Sequence, residues 1–136
     1  MIVTAVPLNE TALTLTSELH TAIADQSPGL GGEGLGPMPS ELLLWSVAAC
    51  FGQAIRYVAA RRRQEVEALS LEVDGVKDAK AFCFGEIVIR VSAALPLQRL
   101  ESIVLLAGKY CFVTNSLSTP VRVEVASALP ADLPGR

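Results

Sequence analysis

The sequence has little of what many enzyme sites and nucleic-acid interfaces depend on. It contains one histidine, His20, and no Lys or Arg before Arg56. A hydrolytic triad or a zinc site needs histidine or several converging ligands, so His20, in a predicted strand without a Cys or His neighbour, is interpreted as structural. The net charge of −3 argues against nucleic-acid binding, which requires a basic surface that displaces phosphate counterions. We therefore expect no cofactor, no metal and no nucleic-acid partner.

Long hydrophobic runs and a secretory signal are missing as well. A signal peptide carries basic residues ahead of an apolar run, and residues 1–6 contain no basic residue. The longest apolar stretch, residues 42–51, is interrupted by Ser46 and is far shorter than the roughly 20 residues that cross a bilayer. These absences predict a soluble, cytoplasmic protein with no membrane partner.

What the chain does contain is apolar: 51% of its 136 residues are hydrophobic and only 18% are charged. With no break in composition, this predicts a single domain over residues 1–136 with a sizeable core. The apolar surface that remains is expected to be covered by a partner subunit. In a reducing compartment, the three cysteines, Cys50, Cys83 and Cys111, are not expected to form a disulfide framework. The simplest interpretation is that all three are buried apolar thiols.

Hydrophobic periodicity and turn residues predict the elements. Three β-favouring runs, residues 1–7, 11–16 and 20–24, predict two or three strands of a meander. They are followed by a long glycine- and proline-rich loop at 27–39, which is interpreted as flexible. A helix capped by Ser40 is predicted to run to about Arg63 and, being apolar nearly all round from 42 to 51, to be buried. The remaining predictions are strands at 68–76 and 85–94, a helix at 97–110, a short turn or helix from Cys111 to about Leu117, a strand at 120–125 and a frayed tail at 129–136. This order indicates an α+β fold.

The second predicted helix is amphipathic. Its inward residues are expected to be Leu97, Leu100, Ile103, Val104 and Ala107.

The long helix carries a polar stripe on an otherwise apolar surface. Ser46, Gln53 and Tyr57 stand at i−4, i+3 and i+7 from Cys50, and these spacings place all four on one face. Two interpretations remain open: a hydrogen-bonded seam in the core or between helices paired across a dimer, or the wall of a cleft with the thiol in its middle. A mid-helix thiol has no help from the helix dipole, so it stays protonated unless a cation approaches it.

Two separated blocks of sequence resemble the OsmC/Ohr family, whose members include organic hydroperoxide resistance proteins. The segment 36–44, followed by 47–50, is similar to the family's central-helix signature. Residues 109–111, with 115–117 and a valine-rich strand, are similar to its second-cysteine segment. The resemblance implies an OsmC-like fold, with a β-meander and further strands packed around a long central helix, and an intertwined homodimer.

The same resemblance implies a thiol-dependent peroxidase without a cofactor. Cys50 would be the peroxidatic thiol that attacks an organic hydroperoxide, and Cys111 the resolving thiol that forms a disulfide with it, which a dithiol reductant reopens. The supporting residues of this hypothesis are Glu41, Ser46, Gln53, Tyr57 and Lys109.

The chain departs from the peroxidase pattern at three places. It has no arginine near the N-terminus, it has Ser40 where peroxidase members carry glutamate, and it has Phe112 where proline usually follows the second cysteine. Lys109, Arg56 or a second subunit could supply a substitute cation. The alternative hypothesis is therefore a non-peroxidase relative that binds a small apolar ligand at the dimer interface. The presence of both cysteines favours the peroxidase.

Overall fold

A computed structural model describes residues 1–130, and the chain divides into two compact units, Met1–Leu43 and Leu44–Arg136. Each unit contains one three-stranded sheet, and the helices complete a mixed architecture. The predicted α+β class is thereby confirmed. Most of the tail predicted to fray, residues 129–136, lies outside the described residues.

The first unit is built on the predicted antiparallel meander. Its strands are β1 (Thr4–Pro7), β2 (Leu13–Thr16) and β3 (Thr21–Ala24), in that order across the sheet. Thr4 pairs with Thr16, and Leu13 pairs with Ala24. The strands are shorter than predicted because β-favouring residues continue past the last ladder hydrogen bonds at their ends.

The glycine-rich segment after β3 is organised by a single carboxylate, that of Asp25, which is 1% exposed. It accepts hydrogen bonds from Thr11 Oγ1 at 2.7 Å and from the backbone N–H groups of Gln26, Glu33 and Leu35 at 2.7, 3.1 and 3.1 Å. A Cβ atom on Gly36 would stand 2.0 Å from the carbonyl oxygen of Ile23, so only glycine fits there. The segment is a loop, as predicted, but it has a defined conformation with a 3-10 turn at Pro28–Leu30.

The long helix, α1 (Pro39–Arg61), begins one residue before the predicted Ser40 cap. Pro39 takes the first helical position, where its missing N–H has no consequence, and Ser40 lies inside the first turn. The backbone N–H of Met38 donates to Glu41 Oε2 at 2.8 Å, which is one half of a capping box. At the other end Arg63 adopts a positive φ of 53° and terminates the helix before the predicted boundary.

The second unit contains β4 (Ser70–Lys77), β5 (Phe84–Ala93) and β6 (Val121–Ser127), with β5 in the centre of the sheet. β4 and β5 are antiparallel neighbours, whereas β5 and β6 are parallel. Two helices, α2 (Leu97–Tyr110) and α3 (Phe112–Asn115), form the crossover that a parallel pair requires. The elements agree with the predicted ones within two residues, but the parallel pairing was not predicted.

The core of the second unit lies between α1, β5 and α2. Its buried side chains include Val47, Phe51, Ile55 and Val58 from α1, Ile87, Ile89 and Val91 from β5, and Leu100, Ile103, Val104 and Ala107 from α2. The prediction for Leu97 is wrong: it is exposed, because it occupies the first position of α2, one turn before the helix enters the core.

The prediction that the first half of α1 is buried all round is also wrong, since Trp45 and Ala49 are exposed in the single chain. By length and composition alone α1 could cross a membrane, but the core helix of a soluble protein passes the same test. In this chain α1 contributes four large side chains to the core described above, which is the behaviour of a core helix.

Candidate active site

The site is built where α1 meets the end of α2. Cys50 lies in the middle of α1 and is half-buried, whereas Cys111, the residue between α2 and α3, is completely buried. The Cys50 thiol lies close enough to the Cys111 thiol to influence its ionisation, and both thiols are free. Two cysteines 61 positions apart in sequence are therefore neighbours in space.

The environment of Cys111 holds its thiol in the protonated form. Burial raises the pKa of Cys111 above its ordinary value, because a thiolate loses hydration there. The side-chain and backbone donors of Thr114 act in the opposite direction, and the adjacent Cys50 raises the pKa further. Thr114 lies one turn after Cys111, and its hydroxyl donates its single proton to the Cys111 carbonyl at 3.3 Å, a position from which it can turn toward a thiolate. Cys111 is thus a shielded thiol with a thiolate-stabilising donor beside it.

A pair of tyrosines extends the contact between the same two helices. The rings of Tyr57 on α1 and Tyr110 at the end of α2 are tilted by 60°, with centroids 5.2 Å apart. The guanidinium of Arg61 lies 5.7 Å from the Tyr57 ring centroid, and its Nη1 donates to the Tyr57 hydroxyl at 3.5 Å. Tyr57 and Tyr110 are both about half exposed. On the same two helices as the cysteines, the structure therefore presents a pair of half-exposed aromatic rings with a cation at its end.

The remaining stripe residues lie at or near the surface. Ser46 is half-buried and Gln53 is exposed, so within the single chain the stripe is not a core seam. It fits either a cleft wall or a surface that pairs with another helix.

The other two predicted supporting residues are Glu41 and Lys109. Among residues 1–130, neither makes a hydrogen bond or an ion pair to either thiol. Glu41 caps α1 through the Met38 N–H, as described above. Lys109 is exposed in the last turn of α2, and its backbone carbonyl accepts a hydrogen bond from Asn115 Nδ2 at 3.2 Å. That contact links the end of α2 to α3 through the backbone of residue 109 and does not involve the Lys109 side chain.

Cys83 corrects the prediction of three buried thiols. It is exposed in the turn between β4 and β5, where Asp78 Oδ1 accepts the backbone N–H groups of Lys80 and Ala81 at 2.8 and 2.7 Å. Cys83 is at the surface because the whole turn, residues 78–83, is exposed and its polar contacts are local. His20 is likewise exposed, beside a turn in which its carbonyl accepts the Ser17 N–H.

The sequence pattern did not identify Tyr110, Thr114 or Arg61 as parts of the site. The i+3 spacing of Thr114 from Cys111 was a usable signal, because a helical turn brings such residues together. The pairing of Tyr57 with Tyr110 had no local signal, since it depends on how α2 returns to α1.

Comparison with known proteins gives a family match over most of the chain. A family model described as "OsmC-like protein" matches residues 31–126. Among curated proteins none matches. A solved structure of a hypothetical protein from Aquifex aeolicus superimposes with a TM-score of 0.78 at 24% identity, covering 95% of this chain and 96% of the other.

Two further similar structures carry functional names. An organic hydroperoxide resistance protein OsmC from Legionella pneumophila has a TM-score of 0.69 and 25% identity, over 94% of this chain and 96% of the other. The organic hydroperoxide resistance protein OhrB of Bacillus subtilis has a TM-score of 0.67 and 22% identity, over 93% and 96% of the two chains.

Proposed function

The chain belongs to the OsmC-like family, and from that premise we propose that it is a two-cysteine, thiol-dependent reductase of organic hydroperoxides. The observation that carries this proposal is that Cys50 and Cys111, far apart in sequence, are neighbours, close enough for the Cys50 thiol to influence the ionisation of Cys111. The Legionella and Bacillus proteins named for organic hydroperoxide resistance support a peroxide-related role. The family fold is a soluble one, consistent with α1 as its core helix.

The burial of the two thiols supports different roles for them. A hydroperoxide has to reach the peroxidatic sulfur, and Cys50 is the more accessible thiol. Cys111 is completely buried and has a raised pKa, so it is a poor first nucleophile and is protected from direct over-oxidation. It needs to react only with the neighbouring Cys50 sulfur. We therefore assign Cys50 as peroxidatic and Cys111 as resolving.

The proposed reaction has three balanced steps. The Cys50 thiolate attacks one peroxide oxygen, so that an S–O bond forms, the O–O bond breaks, and the alcohol leaves after taking up a proton. The Cys111 thiolate then attacks the Cys50 sulfur, forming the S–S bond and releasing water from the sulfenic acid. A dithiol reductant finally exchanges with the disulfide, is itself oxidised to a disulfide, and returns both cysteines as thiols.

The aromatic surface of Tyr57 and Tyr110 favours a substrate with an apolar body. Tyr57, two turns after Cys50 on α1, and Tyr110, which precedes Cys111, offer two half-exposed rings, and aromatic faces bind apolar groups well. The proposed substrates are therefore organic or lipid-derived hydroperoxides. A homodimer, in which the partner covers part of the exposed stripe, belongs to the same proposal.

The test is oxidation by cumene hydroperoxide, followed by mass spectrometry of intact and digested protein. Wild type is expected to lose two hydrogens and yield a Cys50–Cys111 linked peptide. Cys111→Ser should stop at a Cys50 sulfenic acid that dimedone traps, and Cys50→Ser should remain reduced. Cys83→Ser is the matched control, because Cys83 is exposed but lies outside the site, and it should behave as wild type.

A second candidate function has one specific observation in its favour. The chain has no cation before Arg56 to stabilise a Cys50 thiolate from the N-terminal segment. A relative without peroxidase activity would use the same aromatic surface to bind a small apolar ligand at the dimer interface. A Cys50 thiol that stays reduced for hours in millimolar cumene hydroperoxide would reject the peroxidase and favour this binding protein.

A further inference from the structure

A small cavity that is open to solvent lies between the end of α1 and the first turns of α2, within the second unit, and most of its lining side chains are exposed. Its volume is about 280 Å³. It is lined by Arg62, Gln64, Gln98, Arg99, Ser102 and Ile103. Arg62 follows Cys50 by twelve residues, which corresponds to about 18 Å along a helix at about 1.5 Å per residue. The cavity is therefore separate from the two-cysteine site.

The lining of this cavity is positively charged and rich in hydrogen-bond donors. It contains two guanidinium groups, two side-chain amides and one hydroxyl, and no carboxylate. In contrast, a neighbouring cavity that shares Gln64 balances Arg56 with Glu65 and Glu67. The cavity lined by Arg62 and Arg99 is thus a locally cationic site in a chain whose net charge is −3.

The two arginines of the cavity have no acidic partner in the described part of the chain. All ion pairs found among residues 1–130 involve Arg90 or Arg122. Arg62 Nη1 donates to Ser102 Oγ at 2.7 Å, which orients the guanidinium and leaves the hydroxyl proton of Ser102 available as a further donor. The Arg99 side chain makes no hydrogen bond to any residue in the range 1–130.

We propose that this cavity binds a small phosphate-type dianion, either free phosphate or the phosphate group of a small monoester. Guanidinium groups present planar pairs of N–H donors that match phosphate oxygens, and two of them balance a charge of −2. The volume lies just below the range of about 300–1,000 Å³ for drug-sized ligand sites, which suits a single phosphate group with a short substituent. The amides and the Ser102 hydroxyl can satisfy the oxygens that the guanidiniums do not reach.

The test measures binding of inorganic phosphate and of phenyl phosphate to the full chain by isothermal titration calorimetry, at pH 8 and constant ionic strength set with chloride. Arg62→Gln and Arg99→Gln are each expected to weaken phosphate binding about tenfold or more, and the double variant to abolish it. Arg56→Gln is the matched control: it removes the same charge from the same region but lines the other cavity, so its affinity should stay within twofold of wild type.

The two ligands distinguish the two sources of the phosphate group. Tighter binding of phenyl phosphate identifies a monoester site, whereas equal or weaker binding identifies a site for free phosphate. Arg62→Lys keeps the charge but loses the planar fork, so it should lie between wild type and Arg62→Gln. Because Arg99 makes no hydrogen bond to residues 1–130, the Arg99 variant tests the proposal even if Arg62 variants fold poorly.

Three results would overturn the proposal. The first is that wild type gives no saturable binding of either ligand. The second is equal binding by wild type and Arg99→Gln. The third is an equal loss in Arg56→Gln, which would indicate general charge screening. None of these readouts depends on peroxide chemistry, so the result stands apart from the proposed function.

Discussion

The most informative single residue beside the thiols is Thr114. Cys111 is buried, so its pKa is raised, and an uncharged thiol does not attack a sulfenic acid efficiently. The hydroxyl and the backbone N–H of Thr114 are the groups that lower that pKa. At neutral pH the resolving step is therefore expected to depend on a small thiolate fraction that Thr114 helps to maintain.

Replacing Thr114 with valine removes the hydroxyl and keeps the shape and the backbone N–H. The pKa of Cys111 should rise, and at a fixed pH below that pKa the thiolate fraction should fall in proportion to the acid dissociation constant. We expect Thr114→Val to form the Cys50–Cys111 disulfide about three- to tenfold more slowly at pH 7. The difference should narrow as the pH rises toward and above the pKa of Cys111. Rapid-quench alkylation across this pH range measures the rate.

The control for this prediction is Ser116→Ala. Ser116 Oγ donates to the Phe112 carbonyl at 2.8 Å at the end of the same short helix and is absent from the groups that shift the Cys111 pKa. It should leave the disulfide rate unchanged. A Thr114→Val rate that is slowed equally at every pH would instead indicate a positional effect without a change in ionisation.

At the scale of elements, the loop between β3 and α1 depends on Asp25. The pKa of Asp25 is lowered, chiefly by the hydrogen bond from Thr11 and also by three backbone N–H groups, against the opposing effect of burial. A carboxyl whose folded-state pKa is depressed stabilises the fold above its unfolded pKa, near about 3.9, and this contribution is lost as the pH falls through the folded-state value. The loop should therefore be held firmly at neutral pH and released in acid.

Asp25→Asn tests this dependence. At pH 7 we expect the backbone N–H groups of Glu33 and Leu35 to exchange with deuterium about tenfold faster than in wild type. In thermal unfolding, the difference between wild type and variant should begin to shrink below about pH 4, where the carboxyl of the unfolded chain takes up a proton, and should be lost as the pH falls through the lowered folded-state pKa. Asp78→Asn is the matched control, because Asp78 also accepts two backbone N–H groups and has a lowered pKa, but in the turn before β5. Equal exchange in wild type and Asp25→Asn at pH 7 would contradict the proposed role.

The sequence was sufficient for the elements and insufficient for their arrangement. Alternation of apolar residues located β5 and β6, and helical periodicity located α2, because each pattern records which side faces the core. Periodicity carries no information on strand neighbours, so the parallel pairing of β5 with β6 was missed. The Ser40 cap was wrong because Pro39 is itself well suited to the first helical position.

The candidate site could likewise be predicted from the sequence only in part. The stripe around Cys50 followed from helical spacing, but its link to Cys111 came only from the resemblance, since nothing local connects residues 61 positions apart. Tyr110 was missed for the same reason, as its partner Tyr57 lies on another helix. Asp25 was missed because a lone carboxylate before a glycine-rich loop does not differ in sequence from a solvated one. Only the fold shows the four donors that surround it.

At the scale of the whole molecule, several large apolar side chains of the single chain are exposed, and a contiguous group of such residues would mark a surface that a partner covers. In the second unit Trp45 is 61% exposed, and Leu105 and Phe112 are each 79% exposed. Interfaces between subunits are enriched in such aromatic residues. On α1 the small residue Ala49 follows Trp45 by one turn, so the exposed side of the helix allows close approach of another helix. This surface supports the proposed homodimer.

The dimer can be tested through the only tryptophan in the sequence, Trp45. We expect light scattering to give twice the chain mass of 14.4 kDa, and Trp45 emission to lie at the wavelength of a buried indole because a partner covers it. Ala49→Arg places a charge one turn from Trp45 and should raise the dimer dissociation constant about thirtyfold or more, as removal of an interface hot spot does. Its emission should move to the wavelength of exposed indole.

Ala81→Arg, a matched change at an exposed alanine in the turn before β5, should remain dimeric. A wild-type mass of one chain at micromolar concentration, with emission from an exposed indole, would mean that the apolar surface of α1 has another partner.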